Sequence, residues 1–455
     1  MKICFLSLGC DKNRVDAGEM MGLLLERGHV FTDEEQAEAV IVNTCCFIDE
    51  AKEESIGEIL RFAERKKAGL LRSLIVTGCL AQRYREEIIK EIPEVDAVVG
   101  VTAIDRIAEV LDQAVRKENK KKAQVVIGET DAPLFVGGHR VLTTGGHYDF
   151  LKIAEGCDKH CTYCIIPKIR GKYRSVPMET LLIEAQSLAD AGVTELILVA
   201  QECTLYGTDL YGEKRLPALL RALCAIDGFH WIRLLYCYPE EITDELIEVI
   251  ASEEKICKYL DIPIQSGSDR ILRRMGRRID RTGIIALVHK LRERIPGLCL
   301  RTTLIAGFPG ETAADQRDTM ALVKELSFDH LGVFVYSQEE GTPAAGFTDQ
   351  VPERVKKTRR TRLMKAQQAI ARERGEKLVG RVVEAVIEGR MIAGDDRNIW
   401  LARTVFDAPD VDGYLFIEGV DPERELLSGS FVRALITGAG DYDLTGVLYE
   451  DESAE

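Results

Sequence analysis

Three short apolar runs near the amino terminus each end in cysteine at almost equal intervals, and this repeat narrows the fold more than any other feature. Ile3 to Ser7 ends at Gly9-Cys10, Ala39 to Asn43 at Thr44-Cys45-Cys46, and Ser73 to Thr77 at Gly78-Cys79. The steps from Cys10 to Cys45 and from Cys45 to Cys79 are 35 and 34 residues, the length of one strand-helix-strand unit. Asn13 to Arg27, Asp49 to Lys67 and Gln82 to Glu91 carry apolar residues at helical spacing. The pattern predicts an open parallel α/β sheet. Ligands of such sheets sit beyond the carboxyl ends of the strands, so Cys10, Cys45 and Cys79 are expected to converge there. A single buried cysteine closing an apolar strand is ordinary; three in register point to a shared metal centre. Of Cys45 and Cys46 only one is expected to face it, because successive strand residues point to opposite sides.

A second alternation of strand-like and helical segments runs from about Tyr148 to Gln350. Its apolar runs are Phe150 to Ala154, Leu196 to Ala200, Ile232 to Tyr236, Tyr259 to Ile262, Leu300 to Ile305 and Leu331 to Tyr336. The charged run Arg116 to Lys122 and the turn-rich Gly137-Gly138-His139 and Gly145-Gly146-His147 mark a boundary before it. The expected division is an α/β domain over 1–116, a linker over 117–147, a strand-helix domain over 148–352, a basic helix over 353–377 and a β-rich module over 378–455. A length of 455 residues accommodates three cores, and 46% hydrophobic residues can fill them. No apolar run approaches the ~20 residues needed to cross a bilayer, and Met1 leads directly into a strand-like run without a signal-peptide layout. A cytoplasmic protein is expected. Its 13 cysteines then read as metal ligands and buried small residues, because a reducing compartment keeps thiols free.

Cys157, Cys161 and Cys164 stand at x3 and x2 spacing in Glu155-Gly156-Cys157-Asp158-Lys159-His160-Cys161-Thr162-Tyr163-Cys164, close enough for one metal centre to collect all three. Thiolates hold a four-iron cluster one to each iron, so three of them leave one iron open to a substrate. A zinc site with His160 as fourth ligand and a set of structural cysteines are the alternatives. The spacing resembles the signature of the radical S-adenosylmethionine (SAM) enzymes, in which the open iron chelates SAM and passes it an electron. That resemblance implies a partial (β/α)6 barrel for the six units. Barrel chemistry gathers at strand carboxyl ends, where Ala200-Gln201-Glu202, Pro263-Ile264-Gln265-Ser266-Gly267 and Ile305-Ala306-Gly307-Phe308-Pro309-Gly310-Glu311 fall. Gln201, Glu202 and Gln265 can hydrogen-bond a nucleoside, and Gly307 and Gly310 allow backbone to approach it. Each also reads as a turn or helix-start residue. The resemblance places Tyr163 against adenine. Cys4, Cys203, Cys224, Cys237, Cys257 and Cys299 show no ligand spacing and read as packing residues.

Ser7-Leu8-Gly9-Cys10-Asp11-Lys12-Asn13, Val42-Asn43-Thr44-Cys45-Cys46-Phe47-Ile48, Val76-Thr77-Gly78-Cys79 and the Cys157 motif, in this order, resemble the methylthiotransferases, a two-cluster branch of the radical SAM enzymes. Within that branch the chain is most similar to the RimO type, which modifies an aspartate of ribosomal protein S-twelve. The resemblance implies two 4Fe-4S clusters, one on each cysteine trio, with SAM as radical source and methyl donor and a flavodoxin or ferredoxin as electron donor. It implies facing carboxyl ends of the sheet and the barrel.

Residues 353–377 hold ten basic and three acidic residues, with Val355, Leu363, Ala366 and Ile370 on one face. They read as a solvated helix face or as a contact with ribosomal RNA. The strand-like runs after it, Val382 to Ile387, Arg397 to Ala402, Tyr414 to Glu418 and Phe431 to Thr437, resemble the TRAM domain, a small antiparallel β-barrel. Residues 378–455 hold six basic and 17 acidic residues, leaving −11 of the chain's −15. Binding tRNA needs cations against phosphates, whereas this charge attracts a basic protein. The protein substrate is therefore preferred over the alternative, a MiaB-type enzyme acting on a modified adenosine of tRNA. A non-catalytic two-cluster electron carrier is the reading from another class.

Overall fold

The computed structural model describes residues 1–116, 123–136, 138–392, 398–421 and 424–450. Lys117 to Lys122, Gly137, Arg397 and the acidic end from Asp451 lie outside the described residues.

The amino-terminal unit runs β1 (Lys2–Ser7), α1 (Asp11–Glu26), β2 (Val30–Phe31), β3 (Ala39–Thr44), α2 (Asp49–Lys67), β4 (Ser73–Gly78), α3 (Cys79–Glu91), β5 (Ala97–Val99), α4 (Ile107–Arg116) and β6 (Gln124–Val126). All its strands pair in parallel in the order β2-β1-β3-β4-β5-β6. Every residue of β3 and β4 is buried, as expected of Val- and Ile-rich central strands covered by helices on both faces. One face packs Val40, Val42, Leu74 and Val76 on α2 and α3 residues such as Phe62 and Leu80. The other packs Ile3, Ile41 and Ile75 on Met20 and Leu24 of α1 and Ile107 and Leu111 of α4.

The stretch read as a linker, 117–147, is more than that. Its β6 pairs with β5 as the edge strand, and its later part runs along α1. Val141 donates its backbone N–H to the Gly18 carbonyl at 3.1 Å. A Cβ on Gly18 would lie 2.6 Å from the Val141 oxygen, and one on Gly22 would overlap the His139 oxygen. Two glycines one helical turn apart therefore make the track on which this segment lies.

The central unit runs β7 (Tyr148–Lys152), β8 (Ala154–Glu155), α5 (Ile166–Arg170), β9 (Arg174–Ser175), α6 (Met178–Asp190), β10 (Glu195–Val199), α7 (Thr208–Tyr211), α8 (Leu216–Cys224), β11 (Trp231–Leu234), α9 (Asp244–Ser252), β12 (Ile256–Asp261), α10 (Asp269–Arg274), α11 (Arg281–Arg294), β13 (Cys299–Ala306), α12 (Ala313–Leu326) and β14 (His330–Val335). Six of these strands form one parallel sheet in sequential order, β7-β10-β11-β12-β13-β14, an open barrel. Residues of alternate parity face opposite ways. Leu196, Leu198, Ile232, Leu234, Leu260 and Leu300 pack outward under the helices; Tyr148, Phe150, Ile197, Val199, Trp231, Tyr259 and Cys299 line the inner face.

Helix α13 (Glu353–Glu376) then crosses back over β13 and β14. Its buried stripe is Lys356, Arg359, Leu363 and Gln367, not the apolar stripe the sequence suggested; Val355, Ala366 and Ile370 are only partly covered. The two cations are satisfied by the barrel: Lys356 Nζ donates to the Tyr336 carbonyl at 2.8 Å, and Arg359 donates to the Glu311 carbonyl at 2.9 Å while pairing with its carboxylate. Arg354, Lys357, Arg362, Lys365, Arg372 and Lys377 remain exposed.

The last unit, β15 (Val382–Ile392), β16 (Asn398–Thr404), β17 (Leu415–Glu418), β18 (Phe431–Ala439) and β19 (Leu444–Leu448), closes into a five-stranded barrel in the order β15-β16-β17-β19-β18. Its pairs are antiparallel except β17 with β19. Ala385, Ile387, Trp400, Leu415, Ile417 and Ile436 fill it. The segment after β16 does not stay with its own barrel. Val405, Phe406 and Ala408 join the inner face of the central sheet, and Asp412 accepts from Tyr259 Oη at 2.6 Å and pairs with Arg301 at 3.3 Å. Beside this plug, Glu195 at the start of β10 binds Arg233 at 2.7 Å and Arg403 of β16 at 2.6 Å, all three side chains fully buried. Although burial opposes its charge, Arg403 and Arg233 hold the Glu195 carboxyl below the usual carboxylate range.

These contacts qualify the electrostatic argument. Asp407 and Asp412 face His330, Glu388 faces His147 and Arg403, Asp410 faces Arg14, and Glu384 faces His230. Part of the acidity of the last unit is thus spent inside the molecule.

Candidate active site

The turn after β1 brings Cys10 to the start of α1, Cys45 follows β3 directly, and Cys79 opens α3 after β4. These are adjacent strands of a parallel sheet, so the three residues share one edge. Gly9, at φ +93°, lets the first turn close on the second: a Cβ there would lie 2.6 Å from Cys45 Cβ. Asn13 stitches the strand ends, donating to the Leu8 carbonyl at 3.0 Å and the Thr44 carbonyl at 2.8 Å, while Asn43 donates to the Asn13 carbonyl at 2.8 Å. Cys10 is exposed and Cys45 and Cys79 are 6% exposed. Cys46 turns away into the apolar layer with Val40, Val42 and Phe62, where burial pushes its thiol up to about 12.

The second trio lies on the loop between β8 and α5. Gly156, at φ +81°, allows the Cys157 N–H to reach the Gly171 carbonyl at 3.2 Å, and a side chain there would overlap the Lys172 carbonyl. Thr162 fixes the far side, its N–H on the Met275 carbonyl at 2.9 Å and its hydroxyl on the Arg274 carbonyl at 2.8 Å. Cys161 Sγ is 2.8 Å from Tyr238 Oη, and Arg277 lies over the Tyr238 ring, 4.0 Å from its centroid. Burial pushes the Cys157 thiol up to about 11 and also raises Cys45, Cys79 and Cys164; such thiols keep their protons until a metal displaces them.

The two trios are tied together by a buried knot that the sequence did not announce. Arg170, at the end of α5 and 1% exposed, donates Nη1 to Asp16 at 2.8 Å and Glu155 at 2.9 Å, and Nη2 to Asn13 at 2.5 Å and Cys79 Sγ at 3.4 Å. Glu155, two residues before Cys157, accepts from Gln201 at 2.8 Å through its other oxygen. Lys152 pairs with both Asp16 and Glu155. Although burial raises it, Arg170 and Lys152 hold the Glu155 carboxyl down at about 2. Nearby, Lys12 Nζ stands 3.4 Å over the Tyr236 ring, whose hydroxyl donates to Asp11 at 3.0 Å. The carboxyl edge of the first sheet therefore faces the carboxyl rim of the barrel.

Gln201, Glu202 and Gln265 all lie at that rim, and Gln201 Oε1, Glu202 Oε2 and Gln265 Oε1 are buried without a protein partner. Burial pushes the Glu202 carboxyl up to about 7. Gln265 adopts φ +70°, held by its N–H on the Thr303 carbonyl at 2.9 Å. Tyr163 is half-buried, edge-on to Phe308 with ring centroids 6.5 Å apart. At Gly307 the side-chain direction belongs to Lys356 of α13, and at Gly310 to Asp349 and Arg274, so packing accounts for both glycines. His160 is exposed at φ +52°, and among the described residues no three His, Cys, Asp or Glu side chains close on a single-ion site. Ligands held one to each iron of a cluster stand further apart than those of one ion. Two sets of three thiols, with unpartnered buried oxygens beside one of them, fit four-iron clusters and a polar nucleoside cosubstrate.

The remaining cysteines are packing residues: Cys203, Cys237, Cys257 and Cys299 are buried among apolar neighbours, and Cys4 and Cys224 are partly buried. No helix among the described residues is long and apolar enough to cross a membrane.

Comparison with known proteins agrees with this layout. Residues 2–100 match the uncharacterized protein family UPF0004, 151–323 the radical SAM superfamily and 379–448 the TRAM domain. The ribosomal protein uS12 methylthiotransferase RimO of Lachnoclostridium phytofermentans is 56% identical, over 98% of this chain and 99% of the relative. That of Geobacter sulfurreducens is 47% identical over 98% of each. Among solved structures, the radical S-adenosylmethionine methyltransferase TsrM of Kitasatospora setae superposes with a TM-score of 0.55 at 14% identity, over 86% of this chain and 79% of that one. The cobalamin-dependent S-adenosylmethionine radical enzyme OxsB gives 0.51 at 14% identity, over 76% of this chain and 54% of that one. At such identities the likeness is one of fold. With three matched units in sequence and relatives alike from end to end, the chain belongs to the RimO family of radical SAM methylthiotransferases.

Proposed function

We propose that this enzyme attaches a methylthio group to the β-carbon of an aspartate in ribosomal protein uS12, using SAM and two four-iron clusters, one on Cys157, Cys161 and Cys164 and one on Cys10, Cys45 and Cys79. The observation that carries this reading is the single buried guanidinium of Arg170, which touches Cys79 and, through Glu155, the root of the Cys157 loop. Cys157, Cys161 and Cys164 would hold a cluster able to supply the electron that cleaves SAM, and Cys10, Cys45 and Cys79 one able to carry the sulfur that is transferred. The radical SAM match supports the first cluster and SAM; the second rests on the convergence of Cys10, Cys45 and Cys79.

The protein's own residues orient and shield. Gln201, Glu202 and Gln265 would offer their unpartnered oxygens to the donors of SAM, and Tyr163 would supply a ring for its adenine. Hydrogens on the β-carbon of aspartate are too weakly acidic for a side-chain base, so no acid-base pair is required at the rim, and the task left to the fold is exclusion of water and stray hydrogen donors. The plug of Val405, Phe406 and Ala408 closes the inner face of the barrel from the amino-terminal side of its strands. A low-potential flavodoxin or ferredoxin supplies electrons.

The tRNA alternative is disfavoured by the relatives, which are named as uS12 enzymes over their full length, and an electron carrier by membership of an enzyme family. The test is to incubate anaerobically reconstituted protein and SAM with uS12 or with tRNA and follow mass. A gain of one methylthio group on uS12 alone is expected; a gain on tRNA alone overturns the reading.

A further inference from the structure

We propose that Arg170 is a positioning residue that tunes the redox balance of the centre on Cys10, Cys45 and Cys79 while fixing its distance from the other. This inference rests on the two-centre reading above. Asp16 and Glu155 by themselves would satisfy a structural role for the guanidinium, and both bind it through Nη1. Nη2 does something else: it is aimed at Asn13 Oδ1 and at Cys79 Sγ. The knot is also balanced without the sulfur, since Arg170 and Lys152 face Asp16 and Glu155. The donor to Cys79 is thus a charged hydrogen bond additional to a neutral set, made by a side chain that is 1% exposed, and charge-assisted bonds are the stronger kind.

Reduction of an iron-sulfur centre adds one electron and so negative charge, part of it on the ligand sulfurs; a cation donating to one of them favours the reduced form. The same side chain carries its effect outward, because Glu155 passes from Arg170 to Gln201 at the rim. A guanidinium serves here where an ammonium would not: its planar fork reaches four acceptors on α1, α3 and β8 at once.

The experiment uses full-length protein in which Cys157, Cys161 and Cys164 are replaced by Ala, so that only the early trio can be loaded. Iron content and a spectroscopic redox titration are compared for Arg170, Arg170→Lys and Arg170→Met. With iron unchanged, the reduced-to-oxidised ratio at a fixed potential should fall at least tenfold in Arg170→Met, about 59 mV for a one-electron centre, and by a smaller factor in Arg170→Lys. Should Arg170→Met prevent folding, Arg170→Lys decides. Loss of iron from a folded Arg170→Lys protein would make Arg170 a support of the ligand turn and overturn the tuning role. An unchanged midpoint makes Arg170 an ion-pair anchor only and overturns the proposal. Absence of iron in the parent with Arg170 intact would instead defeat the two-centre reading.

Discussion

Replacing Glu195 by Ala should undock the C-terminal barrel from the central one. Glu195 holds Arg233 at 2.7 Å and Arg403 at 2.6 Å with all three side chains fully buried. Removing the carboxylate leaves two guanidiniums side by side in the dry interior, and breaking a buried pair in this way costs about 3–5 kcal/mol. Arg403 keeps Glu388 and the Asp407 carbonyl, and Arg233 keeps the Val405 carbonyl, so the lower end, about 3 kcal/mol, is expected. At about 1.4 kcal/mol per tenfold, docking weakens on the order of a hundredfold. In a melt of a unit of this size the loss corresponds to about 6–12 °C, and proteolysis within residues 405–412 should accelerate. Replacing Glu195, Arg233 and Arg403 together by Leu and Met should recover most of the loss, because the desolvation penalty disappears with the charges. The carboxyl lies below its ordinary range in the folded protein; its contribution is therefore present above the ordinary carboxylate range and lost as pH falls through the lowered value. A Glu195→Ala protein within 1 kcal/mol of the parent, or a triple variant as weak as the single one, would refute the reasoning.

Replacing Cys10, Cys45 or Cys79 by Ala should spare cleavage of SAM to 5'-deoxyadenosine and abolish methylthio transfer; chromatography of the two products separates these activities, and joint loss contradicts the division of labour. Gly22→Ala should lose about 1–3 kcal/mol by overpacking, measured by denaturant titration, because its methyl meets the His139 carbonyl. Glu202 holds its proton up to about pH 7 in the folded protein, so it contributes stability at low pH that declines as pH rises from its unfolded value through about 7. Glu202→Gln should accordingly be stabilised relative to the parent at pH 8 more than at pH 5 in paired melts, and an equal difference at both would exclude the burial argument.

The strand-helix repeat was legible because long buried strands such as β3 and β4 write continuous Val and Ile runs, and because cysteines at their ends are spaced by whole units. Strands β5 and β6 are three residues each, too short to leave a period, so in sequence a paired edge looks like linker. Helix α13 misled in another way: its buried stripe includes Lys356 and Arg359, whose charges are met by carbonyls and a carboxylate of the barrel, and hydropathy cannot foresee such partners. Arg170 was invisible for the same reason. Its partners Asn13, Asp16, Cys79 and Glu155 come from separate elements, and the only local sign is a cation set between Ile169 and Gly171. Part of the acidity of the last unit is turned inward, since Asp407 and Asp412 are buried in the plug, and no sequence pattern marks which carboxylates those are.

That plug gives the chain an unusual order of completion. Tyr148, Trp231 and Tyr259 are synthesised long before Val405, Phe406 and Ala408, which cover them. During translation the central barrel therefore emerges with a greasy hollow that nothing behind it can yet fill. A fragment stopping after α13 would keep that hollow open to other chains, so the small terminal barrel is a keystone of the catalytic unit and not a detachable adaptor.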